Sequence, residues 1–139
     1  MKIAFYKARY GQFFDKVIAL FTFSKYSHCE IVFEDGMCAS ASVRDGGVRF
    51  KEIVMGVRWD VYDLMVGIDE ATVRQWFVDN DHQEYDLWGA IGSAFGLNLS
   101  NDDKKFCSES CATVLGLDNT VISPGALYEL LTKKFYIHR

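Results

Sequence analysis

The sequence predicts an α+β domain, an antiparallel sheet packed by helices. Up to residue 64, short segments alternate apolar and polar residues and are punctuated by Glu34-Asp35-Gly36 and Asp45-Gly46-Gly47, the pattern of hairpin-linked strands. Beyond Ile68 apolar residues recur at helical intervals instead. Strands come first and helices later, which separates the two kinds of element as in α+β folds rather than interleaving them.

Residues 2–8 (KIAFYKA) alternate and read as the first strand. Phe14, Val17, Ile18 and Phe21 fall at helical spacing and predict a helix between Phe13 and Phe23. His28 to Phe33 is a strand, and the Glu34–Gly36 turn returns the chain as a second strand from Met37 to Val43. Strands near 48–54 and 58–64 follow the Asp45–Gly47 turn. Val73, Trp76 and Phe77 mark a helix capped by Asp69, and Asp86 caps another with Leu87, Ala90, Ile91 and Ala94 on its buried stripe. Residues 97–105 (LNLSNDDKK) are a polar loop, after which Cys107 to Leu115 is a helix stopped by Gly116. Ser123-Pro124 starts a last helix running to about Thr132, and Phe135 to His138 returns as a strand.

The chain has 139 residues, half of them hydrophobic and a single proline. It reads as one ordered domain over residues 1–139, large enough to bury about two-thirds of its unfolded surface. Its 15 Lys and Arg against 19 Asp and Glu leave a net charge of −4, with no basic stripe for nucleic acid. No apolar run reaches the ~18 residues of a membrane span, and Lys7 and Arg9 interrupt the apolar start too soon for a signal peptide. The expected location is therefore cytoplasmic, where Cys29, Cys38, Cys107 and Cys111 stay free thiols rather than forming disulfides.

The segment Lys105-Phe106-Cys107-Ser108-Glu109-Ser110-Cys111 carries the most chemistry. It sets Cys107 at the first turn of an apolar helix, where unpaired amides and the helix dipole favour an anion. Lys104 and Lys105 add positive charge, and such surroundings lower a thiol pKa. Cys111, one turn on, reads as core. A thiolate nucleophile wants an imidazole as ion-pair partner and as acid for the leaving group. His82 lies in a polar stretch and His138 beside the C-terminus, so His28, opening an apolar strand, is the candidate. The imidazole in turn needs an orienting partner. A three-residue loop at 34–36 would place Ser42 opposite His28 with Ser40 diagonal, while Glu30 shares the His28 face directly. The residues leave Ser40, Ser42 and Glu30 all open.

Ser27-His28 leading into a strand, a glycine turn and a second strand, then Tyr85-Asp86-x-x-Gly89 and Phe106-Cys107-Ser108-Glu109, resembles the circularly permuted papain-like hydrolases. These are NlpC-type enzymes in permuted order, related to lecithin–retinol acyltransferase-like proteins. The histidine precedes the cysteine in that group, as His28 precedes Cys107 here. The resemblance extends from the first strand to the Ser123-Pro124 helix and implies the permuted papain-like fold. It implies Cys107 as nucleophile, His28 as base and, on the following strand, Ser40 as third member, where relatives carry His, Glu, Asn or Gln. It also sets Tyr85 and Ser108 on the oxyanion or substrate side, beside the main-chain amide of Cys107.

The expected activity is that of a cysteine hydrolase (peptidase or amidase) or acyltransferase acting through an acyl-thioester, on a peptide, amide or lipid-ester substrate, with no cofactor. The alternative is a catalytically silent binding module of the same fold. A metal site from His28, Cys29, Cys38, Cys107 and Cys111 lacks a close C-x-x-C pair, and neighbouring His28 and Cys29 point to opposite faces of a strand. Phosphate-loop and dinucleotide readings fail because Gly46-Gly47 and Gly89-x-x-Gly92 lack the required lysine or glycine spacing.

Overall fold

Six strands form one sheet in the order β4-β3-β2-β1-β5-β6, every neighbouring pair antiparallel. They are β1 (Lys2–Lys7), β2 (Tyr26–Val32), β3 (Met37–Ser42), β4 (Gly47–Glu52), β5 (Trp59–Leu64) and β6 (Ile137–His138). Among the described residues three α-helices accompany them: α1 (Glu70–Asp79), α2 (Asp102–Val114) and α3 (Pro124–Lys133). The computed structural model describes residues 1–11, 24–42, 45–65, 67, 69–81, 102–117, 123–134 and 136–138, of 102–106 the backbone alone. The predicted helices over 13–23 and after Asp86, the residues His82, Tyr85 and 97–101, and the last residue of the 37–43 strand lie outside these.

Local chemistry explains the elements. The 34–36 loop holds three residues, with Gly36 at φ 87° and the Phe33 amide bonded to the Met37 carbonyl, so β2 and β3 are joined as a three-residue hairpin. Asp69 caps α1 by accepting from the Thr72 amide, and Ser123 caps α3 by accepting from Ala126 with Pro124 at the first helical position. Gly116, at φ 64°, closes α2: its amide reaches the Thr113 carbonyl and that of Leu117 reaches Ala112, the two bonds of a Schellman cap.

One prediction is corrected. The helix carrying Cys107 starts at Asp102, five residues before the expected start, so 102–105 are helix rather than loop. Acidic residues suit a helix N-terminus and lysine is a good helix former; the turn was hidden because its apolar face starts only at Phe106.

The sheet has one apolar and one polar face. Ile3, Phe5, Cys29, Ile31, Phe33, Ala39, Ala41 and Val48 form the apolar face and join Cys107, Cys111, Leu127 and Leu131 in the core. Helix α2 packs on β2 and β3, and α3 beside it on β2. Phe5, Tyr26, Tyr62 and Tyr128 form one aromatic cluster, Phe33, Phe50 and Phe77 another. Among the described residues no helix is long and apolar enough to cross a membrane.

Candidate active site

Strand alternation puts His28 and Glu30 on the polar face of β2 and Cys29 on the apolar face. The ladder to β1 pairs His28 with Tyr6 but Tyr26 with Lys7, which leaves Ser27 as the extra residue of a β-bulge. Strand β2 therefore starts two residues before His28, and the bulge turns Tyr26 into the core while His28 stays on the other face.

Between β2 and β3 the ladder consists of Ile31↔Ala39 and Val32↔Cys38 and then stops. Phe33 and Met37 share a backbone bond, so hydrogen-bonded pairs recur every second residue and the next would be Cys29 with Ala41. The strands part there instead. The Cys29 carbonyl takes the Ser40 hydroxyl at 2.8 Å, and the Cys29 amide turns to the sulfur of Cys107. Helix α2 supplies that sulfur, and one turn on its Cys111 sulfur lies 3.8 Å from that of Cys29. The opening lets Cys107 meet both the Cys29 backbone and the imidazole of His28, to which it is hydrogen-bonded.

The far nitrogen of the ring is also committed. His28 Nε2 lies 2.6 Å from Glu30 Oε1, which leaves Nδ1 for Cys107. Glu30 is fully buried and accepts two further bonds from the guanidinium of Arg49, at 2.7 Å on Oε2 and 2.6 Å on Oε1. Arg49 Nε donates to Asp45 at 2.9 Å, and Lys51 meets the other Asp45 oxygen at 3.0 Å. The indole of Trp59 stands edge-on to the His28 ring, centroids 6.3 Å apart.

These contacts set the protonation states. A hydrogen bond from the Cys29 thiol holds Cys107 well below the usual thiol range; burial opposes this, and the charge and hydrogen bond of His28 and the Cys29 amide support it. Burial would depress His28, yet the charges and hydrogen bonds of Cys107 and Glu30 push it up to about 10. Burial would raise Glu30, but the Arg49 fork and the His28 cation keep it below the ordinary carboxylate value. Burial, and donation to Cys107 and Cys111, push Cys29 well above the usual thiol range. These directions favour the charged forms along the row: thiolate, imidazolium, carboxylate, guanidinium.

The structure thus brings Cys107 and His28 together and sets Glu30, not Ser40, against the ring. Ser40 is buried and directed at backbone: its hydroxyl donates to the carbonyl of Cys29 and, at 3.4 Å, to that of Ala41. Ser42 pairs with Gly47 across the β3–β4 ladder and takes no part in the His28 bonding. Glu30 is the partner, because residues two apart on a strand share a face and its longer side chain reaches back to the ring. The oxyanion assignment changes too. As the sixth residue of α2, Cys107 lies beyond the four amides that a helix start leaves unpaired, so its main-chain amide is spent inside the helix. Ser108 is buried beside Cys107; Tyr85 and the side chains of Lys104 and Lys105 lie outside the described residues. His138 is exposed on β6, at the far edge of the sheet from β2.

Arg49 and Trp59 were not singled out from the sequence. For Arg49 the signal was alternation along β4, which puts it on the face of Ser40 and Glu30; Trp59 carried none. All four cysteines are free. Among the described residues no group of three or more His, Cys, Asp or Glu converges as a set of metal ligands. No protein-family model matches this chain, and neither the curated proteins nor the solved structures contain a match.

Proposed function

We propose that the chain is a cysteine hydrolase or acyltransferase of the permuted papain-like type, with Cys107 as nucleophile, His28 as acid and base, and Glu30 orienting the ring. One observation carries the reading: the Cys107 thiol, the His28 imidazole and the buried Glu30 carboxylate form a continuous hydrogen-bonded row. Nucleophile, base and orienter in mutual reach are what acyl transfer through a thioester needs.

The Cys107 thiolate adds to the carbonyl carbon of an amide or ester. As the tetrahedral intermediate collapses, the proton on His28 passes to the leaving nitrogen or oxygen and the acyl group stays on sulfur. His28, now neutral, takes a proton from water or from another acceptor, which attacks the thioester and releases the thiolate. Glu30 stays ionised throughout and keeps the ring turned to the sulfur. Peptide, amide and lipid-ester substrates all suit this chemistry. The silent binding module gains one supporting observation, since only 5% of Cys107 is exposed.

Alkylation separates the two. Iodoacetamide at pH 6, followed by peptide mapping, is expected to modify Cys107 well ahead of Cys29. In the same protein Cys107→Ala abolishes turnover of small amide and ester substrates, and His28→Ala lowers it by about 10²–10⁴-fold. Labelling of Cys107 no faster than Cys29, with equal turnover by wild type and Cys107→Ala, would leave the binding module.

A further inference from the structure

We infer that Arg49 is a positioning residue for the thiol chemistry: its guanidinium fork clamps the Glu30 carboxylate against the His28 ring. The inference rests on the proposed role of Cys107 and His28 and adds a control on that site from two strands away.

The geometry is that of a clamp. Two parallel bonds, 2.7 and 2.6 Å, tie the plane of the carboxylate to that of the guanidinium, the bidentate arrangement that fixes orientation as well as distance. Oε1, which takes one arm of the fork, also faces His28 Nε2 at 2.6 Å. The fork is itself held, because Arg49 Nε donates to Asp45 and Lys51 braces Asp45 from the rim. Position 40 makes the reach possible. Ser40 is the β3 partner of Arg49, and its short side chain, turned down to the Cys29 carbonyl, leaves the guanidinium a path over β3 to β2.

A purely structural pair explains less. Removing two charges from water costs more than a buried ion pair usually returns, and apolar residues of similar volume would join β4 to β2 at least as well. What such residues cannot do is keep a fully buried carboxylate ionised beside an imidazole. The groups that set the charge at this point are His28, Cys29 and Glu30 from β2, Cys38 from β3, Arg49 and Lys51 from β4, Asp45 from the turn before β4, and Cys107 and Cys111 from α2. Asp35, in the β2–β3 turn, acts from beyond Cys38. Of these, Arg49 alone donates two bonds to Glu30.

The test is the pH profile of Cys107 alkylation by iodoacetamide, measured on the full chain for wild type, Arg49→Met and Arg49→Lys, with circular dichroism as the folding control. Without the fork, burial returns the proton to Glu30, the imidazolium loses its counter-charge and the thiol titrates later. For Arg49→Met the inflection is expected to rise by at least one unit, about tenfold slower labelling at pH 6, while the limiting rate at high pH stays that of wild type. Arg49→Lys, which keeps the charge and loses the fork, is expected between the two. A folded Arg49→Met with the wild-type profile overturns the inference. Should that variant fail to fold, Arg49→Lys decides: an upward shift supports the clamp and an unchanged profile overturns it. A wild-type Cys107 that titrates as an ordinary thiol overturns both this inference and the proposed activity, whereas unchanged variants beside a low-pH wild type overturn this one alone.

Discussion

At position 30 a carboxylate with no exposed surface accepts two bonds from a guanidinium and faces an imidazole at 2.6 Å. At position 40 a buried hydroxyl gives its proton to the Cys29 carbonyl where the β2–β3 ladder stops. The first residue works on the ring, the second on the backbone, and two substitutions separate them. Ser40→Ala leaves the buried Cys29 carbonyl without its donor, which costs about 1–3 kcal/mol. The urea midpoint should fall accordingly, while labelling of Cys107 at pH 6 keeps its wild-type rate. Glu30→Gln retains the shape but removes the counter-charge of both His28 and Arg49. Stability then drops by about 3–5 kcal/mol, the cost of breaking a buried pair from one side, and labelling of Cys107 at pH 6 slows by about tenfold or more. Loss of low-pH labelling in Ser40→Ala with none in Glu30→Gln would restore the serine as orienter.

Among the elements, those set by local chemistry were legible in the sequence. Asp69, Ser123-Pro124 and Gly116 each act on an amide or carbonyl within a few residues, and the structure has the caps where they stand. The neighbourhood of His28 and Cys107 was also readable, from an apolar helix and a strand each carrying one reactive group. Three features were not. The first turn of α2 is polar and gives no periodic signal. The parting of β2 from β3 depends on tertiary packing against α2 and leaves no mark in either strand. The reach of Arg49 across β3 needs the sheet order β4-β3-β2, which spacing along the chain does not contain. Close approach between distant elements is equally silent: a Cβ on Gly125, in the first turn of α3, would overlap Ser24 Oγ and crowd Ser24 Cβ. Ser24 Oγ accepts from the Tyr26 amide at 3.0 Å, so this contact seats the start of β2 on α3. Gly125→Ala should therefore cost about 1–3 kcal/mol by overpacking, read as a lowered urea midpoint. Combining it with Ser24→Gly, which removes the clashing atoms, should recover part of the loss; an additive pair of losses would locate the strain elsewhere.

For the whole molecule, the sheet separates a dry core on one face from a charged row on the other, and the connection from β4 to β5 has to cross three strands in residues 53–58. It sets out over the charged face, with the Ile53 amide bonded to the Cys38 sulfur, while Val54 stays 94% exposed. The row ties global stability to pH in a way whose sign can be worked out. An unfolded chain carries a neutral histidine above about 6.5 and a neutral thiol below about 9. Over the part of that window above the lowered Cys107 pKa, the folded protein holds a proton on His28, which titrates at about 10, and none on Cys107. Folded and unfolded states then bind equal numbers of protons at the pair, and its contribution does not change with pH. Below 6.5 the unfolded chain gains the histidine proton and stability falls with falling pH, more steeply once Glu30, depressed in the folded state, is forced to protonate. Above about 9 the unfolded thiols of Cys29, Cys38 and Cys107 ionise, whereas the folded state keeps its protons on Cys29, Cys38 and His28. Stability therefore falls again as pH rises. Cys107→Ala breaks the balance in the middle: Glu30 alone then opposes the burial that lowers His28, no thiolate offsets the proton the ring keeps, and stability should decline from pH 6.5 upward. Urea midpoints at pH 7 and 8 should agree for wild type and descend for Cys107→Ala, and a level pair in the variant would mean that without the thiolate His28 carries no extra proton in the fold.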